Sequence, residues 1–475
     1  MSNSAMPPTS TIPCTTKHLP SRVKANYALG VLMLAYLFSI MDRQVLSLLV
    51  GPIQQSLHIN DSWMGLLHGF TFAIFYSLAG LPIARIIDRG NRRLVIMAGI
   101  GLWCLATAAS GLATEFWHLL LARVGVAVGE AVLLPGAISL ISDLFAPEKR
   151  NRALGVFGAG GPIGLGAGLL ATGLVLGYFN AHPLTLPLLG ELAPWQTTLM
   201  SIGLPGLIVL VMMVGVAEPR LDNPDRKIPT VAATNVSLTE VVAFLHINRR
   251  TFVAIILGMG FYNAAIYGGG AWVPSYMVRE FGWSYAKTGT VMGLIMCISA
   301  PLGVLGASWL GDFWRRRGVV NGNLRVAVLA SILLPLFATP MLLASSAEIA
   351  LPFLALSAAL WVCLFGVGPA LIIEVTPVPM RGQFIALFTG VLNLVGVGIG
   401  PLAIGLITDY VLVDPAAIGY SILIVTLIAC FIACPLLLGA RNSFKKSIQL
   451  AQTWKSVKTI PHTYSNFNSN QRENS

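Results

Sequence analysis

Apolar and polar positions alternate along the chain in long blocks, in which mostly apolar runs are separated by short polar turns. An apolar run of about 20 residues is long enough to cross the hydrocarbon core of a bilayer as a helix. The pattern predicts twelve such helices, at 27–53, 62–84, 94–112, 116–143, 153–177, 195–216, 251–277, 286–311, 324–344, 348–373, 383–408 and 417–438.

Two stretches recur in the second half of the chain at nearly constant offsets. ARIIDRGNRR (84–93) parallels SWLGDFWRRR (308–317) at an offset of 224. DLFAPEKRNRALGVF (143–157) parallels EVTPVPMRGQFIALF (374–388) at an offset of 231. Internal repeats of this kind indicate two halves of similar architecture. The predicted fold class is therefore an all-α membrane protein with twelve transmembrane helices in two pseudo-symmetric six-helix bundles, and the substrate site is expected between them at mid-membrane.

A long polar segment separates the sixth predicted helix from the seventh and sets the domain boundaries. The predicted domains are an N-terminal tail 1–26, a first bundle 27–217, a central loop 218–250, a second bundle 251–438 and a C-terminal tail 439–475.

The basic residues indicate how the chain is oriented. Of 30 Lys and Arg residues, 26 lie in segments on the side of the termini, two (Arg279 and Lys287) lie in loops on the other side, and two lie within predicted helices. By the positive-inside rule, this distribution predicts a multi-pass protein of the cell inner membrane with both termini cytoplasmic. The formal net charge of +11 is then a topology signal, and no nucleic-acid partner is expected.

Composition excludes several classes of protein. With 55% hydrophobic and 10% charged residues, the chain is not a soluble multi-domain protein. Its six cysteines and seven histidines are scattered, so the sequence predicts no metal, no cofactor and no enzyme activity. The absence of a G-x-x-x-x-G-K-[ST] run argues against an ATP-driven pump within this chain.

Four charged residues lie inside predicted helices of the first half. Asp42 and Arg43 are in the first helix, and Arg123 and Glu130 share one face of the fourth. Because each charge at bilayer depth costs roughly 3 kcal/mol, charges there usually serve function. We predict that Glu130 and Asp42 couple transport to protons. Arg43 and Arg123 are predicted to bind an anionic head group. The alternative is that Arg43 forms an internal salt bridge with Glu130 and never meets substrate.

The second half offers polar and aromatic positions without charge. They are Tyr262, Asn263 and Tyr267 in the seventh helix, Trp361 in the tenth and Asn393 in the eleventh. We predict that they contact the apolar part of a substrate.

The segment 84–93 resembles the loop motif G-x-L-a-D-R-x-G-R-R of the major facilitator superfamily, although Ala84 and Asn91 replace its glycines. MDRQVLS (41–47), RVGVAVGEA (123–131) and SDLFAPEKRNRALGVF (142–157) most resemble bacterial spinster-type transporters. An anion:cation symporter family shares the charged pairs of helices 1 and 4. The resemblance implies that Asp88 pairs across the two halves and holds an outward-open state. It also implies gating roles, which are assigned to Arg92, Asp143 and Asp312.

These features together predict a secondary active transporter that works by alternating access and is coupled to protons. Its expected cargo is an amphipathic or aromatic organic anion, and the resemblance suggests a lysolipid-like molecule. The alternative is an uptake symporter for small carboxylates such as aromatic or sugar acids. The expected partners are a small-molecule substrate, protons and the lipid bilayer, and the protein is expected to be a monomer.

Overall fold

The computed structural model describes residues 21–187, 190–219 and 236–454. Within these residues, twelve helices are long and apolar enough to cross a membrane. They are α1 (Arg22–Leu57), α2 (Asp61–Asp88), α3 (Arg92–Ser110), α4 (Phe116–Leu144), α5 (Pro147–Ala181), α6 (Pro194–Met213), α7 (Arg249–Phe281), α8 (Tyr285–Arg316), α9 (Gly322–Leu342), α10 (Ala347–Glu374), α11 (Val378–Leu412) and α12 (Pro415–Thr453). The predicted fold class, with six helices in each half, is confirmed.

Because the number of helices is even, α1 begins and α12 ends on the same side of the bundle. We call this side the terminal face and the other side the opposite face. The remainder of the predicted tails and central loop, at 1–20, 220–235 and 455–475, lies outside the described residues.

The last helix continues well beyond the apolar run from which it was predicted. Whereas the pattern ended near residue 438, α12 reaches Thr453 and keeps Phe444 and Ser447 buried. Ser447 Oγ lies 2.8 Å from both Asn248 Oδ1 and Thr251 Oγ1, which joins this extension to the start of α7. Mean hydropathy does not detect such an extension, because only one of its sides is apolar.

Two short elements connect the long helices. A linker helix, Leu238–Ile247, starts with a capping box between Ser237 and Glu240 and buries Phe244 against the ring of Phe252 at 6.0 Å. A two-stranded antiparallel hairpin pairs Thr185–Leu186 with Gly190–Glu191 between α5 and α6. The hydropathy pattern did not predict the hairpin, because strands of two residues carry no periodic signal.

The two halves pack closely near the opposite face. A Cβ added to Gly173 on α5 would lie 2.8 Å from Gly289 Cα on α8. A Cβ added to Gly65 on α2 would lie 2.7 Å from the Pro401 carbonyl on α11. Only glycine allows such approaches, so these contacts bring α5 against α8 and α2 against α11.

The same helices diverge toward the terminal face. Gly155 and Gly166 of α5 are eleven residues apart and so share one helix face. A Cβ on Gly166 would lie 2.6 Å from Cys297 N of α8, whereas a Cβ on Gly155 would meet no atom of another described element within 4 Å. On α2, Gly69 meets the Val397 carbonyl of α11, while Gly80, again eleven residues further, has open space. The halves are therefore closed at the opposite face and separated at the terminal face.

Candidate functional site

The four charged residues within the first half form two ion pairs that cross from α1 to α4. Arg43 Nε donates to Glu130 Oε2 at 2.5 Å, and Arg123 Nη1 lies 3.6 Å from Asp42 Oδ2. Because Asp42 and Arg43 are neighbours on a helix, they point in different directions and cannot pair face to face. Each therefore pairs with a residue of opposite charge on α4.

Exposure separates Arg43 from the other three charged residues. The side chains of Glu130, Asp42 and Arg123 are buried, whereas that of Arg43 is 22% exposed. The Arg43 guanidinium carbon lies 4.5 Å from the centre of the Phe72 ring and 5.2 Å from that of Tyr76. These cation–π contacts hold a guanidinium that reaches Glu130 on one side and open space on the other.

That open space is a cavity of about 90 Å³ between the two halves, which we call the charged compartment. Arg43 and Arg123 line it from the first half, together with His68 and Ser47. His68 lies in the π-helical segment Leu66–Phe70 of α2. Such single-turn π segments occur frequently at functional sites. The compartment therefore presents two guanidinium groups, an imidazole and a hydroxyl between the two halves.

A second cavity of about 160 Å³, the apolar compartment, adjoins the first on the side of the second half. Its walls include Met259, Leu364 and Phe388. The two compartments share four lining residues, which are Ile266, Tyr267, Trp361 and Phe365. The site thus joins a charged end to an apolar end across an aromatic boundary.

The predicted contacts of the second half divide into lining and buried positions. Tyr267 and Trp361 line both compartments, and Asn263 and Asn393 line the apolar one. Tyr262 is not among the described residues that line either compartment, because it is fully buried and its hydroxyl donates to the Leu360 carbonyl at 2.8 Å. In this state its role is to join α7 to α10.

Several buried polar atoms around the ion pairs have no hydrogen-bond partner among the described residues. They are both carboxylate oxygens of Asp42, Glu130 Oε1, Arg123 Nε, His68 Nε2 and Thr107 Oγ1. Buried polar atoms are usually satisfied, so a group of them at one place indicates a site that can bind protons, water or a ligand. Hydropathy indicated the charged members of this group but gave no signal for Thr107.

Two of the predicted gating residues of the first half, Arg92 and Asp143, belong to a network within that half. Arg92, fully buried, donates from Nη1 to Asp143 Oδ2 at 2.7 Å and from Nη2 to Glu218 Oε1 at 2.5 Å. The sequence prediction does not include Glu218, because this residue begins the predicted central loop 218–250. Asp88 lies at the terminal end of α2, and its predicted contact in an outward-open state stays a prediction.

Asp312 belongs to a corresponding network in the second half. Arg315 on α8 pairs with Asp312 and lies 3.4 Å from Glu374 Oε1 at the end of α10. Asn323 Nδ2 of α9 donates to the same Glu374 oxygen at 2.7 Å. The network therefore ties three helix ends together at the terminal face.

A further set of contacts, absent from the sequence prediction, joins the two halves at the opposite face. Arg279 of α7 donates to Asp61 of α2 through two nitrogens, at 2.8 and 2.7 Å. Gln54 of α1 bridges the pair, because it donates to Asp61 at 2.7 Å and accepts from Arg279 at 2.9 Å. One signal for this cluster was present: Arg279 is one of two basic residues predicted on this side.

Asp409 of α11 strengthens the same closure. Its carboxylate accepts from the backbone N–H and the hydroxyl of Ser62, both at 2.6 Å. Ser62 lies in the first turn of α2, where backbone N–H groups lack partners within the helix. An acid from one half thus binds the helix start of the other.

Comparison with known proteins agrees with this architecture. Residues 32–366 match the model of the Major Facilitator Superfamily. An MFS-type efflux pump of Mycolicibacterium smegmatis is 27% identical over 410 residues, which cover 86% of this chain and 90% of the pump. Protein spinster homolog 1 of Xenopus tropicalis is 27% identical over 61% of this chain and about half (55%) of its own length. A probable L-galactonate transporter of Escherichia coli is 24% identical over 63% of this chain and 64% of its own.

Among solved structures, a bacterial homolog of the human lysosomal transporter Spinster, in an inward-facing and unoccupied conformation, superposes with a TM-score of 0.76. It is 22% identical, and the superposition covers 92% of this chain and all of that one. The twelve helices, the match to the family model and this shared fold together place the chain in the Major Facilitator Superfamily, among the transporters that resemble spinster proteins.

Proposed function

We propose that this protein is a proton-coupled secondary active transporter of amphipathic or aromatic organic anions. The observation that carries the proposal is the position of Arg43, which contacts Glu130 on one side and lines the charged compartment on the other. An anion that binds in the compartment competes with Glu130 for the same guanidinium. Cargo and carboxylate are thereby linked through one side chain.

The exchange supplies a coupling mechanism. A buried carboxylate without its cationic partner is costly, so Glu130 takes up a proton when cargo draws Arg43 away. When the cargo leaves, Arg43 returns and the proton is released. Asp42 and Arg123 form the parallel pair, and Arg123 also lines the compartment. The two alternatives drawn from the sequence, a salt bridge and a cargo contact for Arg43, are then two stages of one cycle.

Alternating access follows from the asymmetric packing of the two halves, with bundles at 27–217 and 251–438 as the moving bodies. The terminal face carries most of the basic residues and is assigned to the cytoplasm. The closure by Asp61 and Arg279 then lies on the outer side, and the described state is inward-facing. The outward-facing state requires these contacts to break. The parts of α5 and α8 nearest the terminal face must then meet. Regulation of that closure is assigned to Asp88, Arg92, Asp143 and Asp312.

The cargo class follows from the two compartments. An anionic group fits beside Arg43 and Arg123, and an apolar body fits beyond Tyr267 and Trp361. An aromatic anion uses both compartments, whereas a lysolipid-like anion places its head group and only the first part of its chain in them. A small carboxylate, the second candidate, uses the charged compartment alone, and the similarity to a probable L-galactonate transporter favours it.

Counterflow in proteoliposomes tests the proposal. Purified protein is reconstituted with an internal aromatic acid or lysolipid, and uptake of the labelled compound is followed with and without a pH gradient. Saturable counterflow and faster accumulation with an inward proton gradient are expected. Uptake that does not saturate would indicate a channel. Sugar acids that compete as strongly as amphipathic anions would favour the second candidate.

A further inference from the structure

A further cavity, larger than both central compartments, is not between the two halves. It has a volume of about 580 Å³ and lies at the terminal face of the second half. Its walls come from the loop after α8, the end of α10, the start of α11 and the extension of α12. Ligand-binding cavities commonly fall between about 300 and 1,000 Å³, so this one is large enough for a metabolite or a lipid head group.

Two guanidinium groups line this cavity. Arg381, at the start of α11, uses only Nε for a contact with the described residues, at 3.4 Å from the Thr376 carbonyl. Its two terminal nitrogens remain available to a ligand. Arg315, at the end of α8, is 48% exposed while it pairs with Asp312. Arginine binds carboxylate and phosphate groups through two parallel hydrogen bonds.

One carboxylate, that of Glu374, also lines the cavity, but its oxygens are engaged or shielded. Oε1 accepts from Asn323 at 2.7 Å and lies 3.4 Å from Arg315. Oε2 is buried from solvent. Glu374 Oε2 has no hydrogen-bond partner among the described residues, and the cavity therefore presents two guanidinium groups and one carboxylate. Between them the walls are apolar and include Val319, Ile373 and Ile448.

We propose that this cavity binds a phosphate ester, with the phosphate on Arg381 and Arg315 and the organic part against the apolar wall. The same chemistry occurs in soluble organic phosphates and in phospholipid head groups. Because helix ends line the cavity, we expect both sources to reach it, one from the aqueous phase and the other from the head-group region of the bilayer. This site is separate from the central compartments, and none of the described residues lines both.

Binding of a ligand at this site would change the contacts that Arg315 makes with Asp312 and Glu374 at the terminal face. A phosphate that draws Arg315 away competes with Asp312, one turn earlier on α8, and with Glu374, whose contact with Arg315 ties α10 to α8. These helix ends must move when the terminal face closes. The ligand would therefore favour one of the two transport states and act as a regulator rather than as cargo.

Direct binding to the full-length protein in detergent tests the site without reference to transport. The probes are glycerol 3-phosphate and a short-chain phosphatidylglycerol, measured by microscale thermophoresis. Saturable binding of at least one probe is expected, and the probe that binds more tightly identifies the source. Arg381→Gln should weaken binding by about tenfold or more, because a charge-assisted contact is lost.

Arg317→Gln is the matched control. Arg317 lies two residues after Arg315, stacks on the Phe313 ring at 4.2 Å and does not line the cavity. Its substitution should leave the affinity within about twofold. Arg381→Lys, which keeps the charge but not the paired geometry, should give an intermediate affinity. Equal loss in the Arg317 and Arg381 variants, or no saturable binding of either probe, would overturn the proposal.

Discussion

Arg43 of α1 donates to Glu130 of α4 at 2.5 Å while the same side chain lines the central cavity. The Glu130 carboxylate is shielded from solvent because it lies behind Arg43. Its electrostatic environment still depends on where the Arg43 guanidinium lies and on what that guanidinium binds. Ligand binding at the front of Arg43 therefore changes the electrostatic environment of Glu130. This relationship is the basis of the proposed coupling between cargo and protons.

Substitution of Glu130 by Gln separates coupling from binding. Gln keeps the size and an acceptor for Arg43 but carries no proton that can be exchanged. We expect loss of accumulation driven by a pH gradient, while exchange of labelled for unlabelled cargo continues. Both rates are measured in the same proteoliposomes. Undiminished gradient-driven uptake in this variant would remove Glu130 from the coupling mechanism.

Removal of Arg123 should weaken the binding of anions selectively. Arg123→Ala deletes one of the two guanidinium groups of the charged compartment, and a charge-assisted contact is worth about 1.5–3 kcal/mol, or roughly ten- to a hundredfold in affinity. Thermal-shift titrations with an anionic cargo and its neutral amide give the comparison. If both ligands lose affinity equally, Arg123 has a structural role with Asp42 and does not bind cargo.

The aromatic boundary between the compartments should determine preference for amphipathic cargo. Trp361→Ala removes a large apolar wall that both compartments share. We expect affinity for an amphipathic anion to fall by about tenfold, since burial of an aromatic ring contributes 1.5–3 kcal/mol, while a small carboxylate binds as before. The control is Trp309→Ala, because Trp309 is exposed and lies outside the cavity. An equal loss for the small carboxylate would favour the second candidate function.

The contact between Asp61 and Arg279 should stabilise the state that is closed at the opposite face. Asp61→Asn removes the charge but keeps the shape, so the outward-facing state should gain population. Labelling of Ser47→Cys by an impermeant thiol reagent added outside intact cells measures this shift, because Ser47 lines the charged compartment. Labelling should be several times faster with Asp61→Asn.

Glu280→Gln serves as the control for that variant. Glu280 follows Arg279 directly and is exposed, so its substitution removes one acid from the same face without touching the contact. Labelling rates that rise equally in both variants would show a general effect of charge, and the closure would not depend on Asp61.

Substitutions at two glycines on one face of α5 should shift the balance between the two transport states in opposite directions. Gly173→Val places a side chain against Gly289 and disfavours the described state, since forced overpacking costs about 1–3 kcal/mol. The side chain of Gly155→Val would lie in open space among the described residues, so this substitution should leave the described state intact. It should instead block the close approach of α5 and α8 near the terminal face. In the labelling assay, the first variant should react faster than wild type and the second more slowly. The same direction of change in both would contradict the rocking motion.

Four features could be predicted from the residues alone: the number of helices, the orientation signal, the repeat between the halves and the four charges of the first half. Each is a local or periodic property, because hydropathy over about 20 residues and the positions of Lys and Arg do not depend on distant contacts. The close approach of α2 to α11 could only be suspected from glycines, which pack against many kinds of neighbour.

The pairing of these charges depends on the three-dimensional fold. From the sequence, Glu130 could pair with Arg43 or Arg123, and only the placement of α1 against α4 selects Arg43. The contact between Asp61 and Arg279 joins residues 218 positions apart. Such pairs depend on how rigid helices are placed in three dimensions, and no periodic pattern along the chain records that placement.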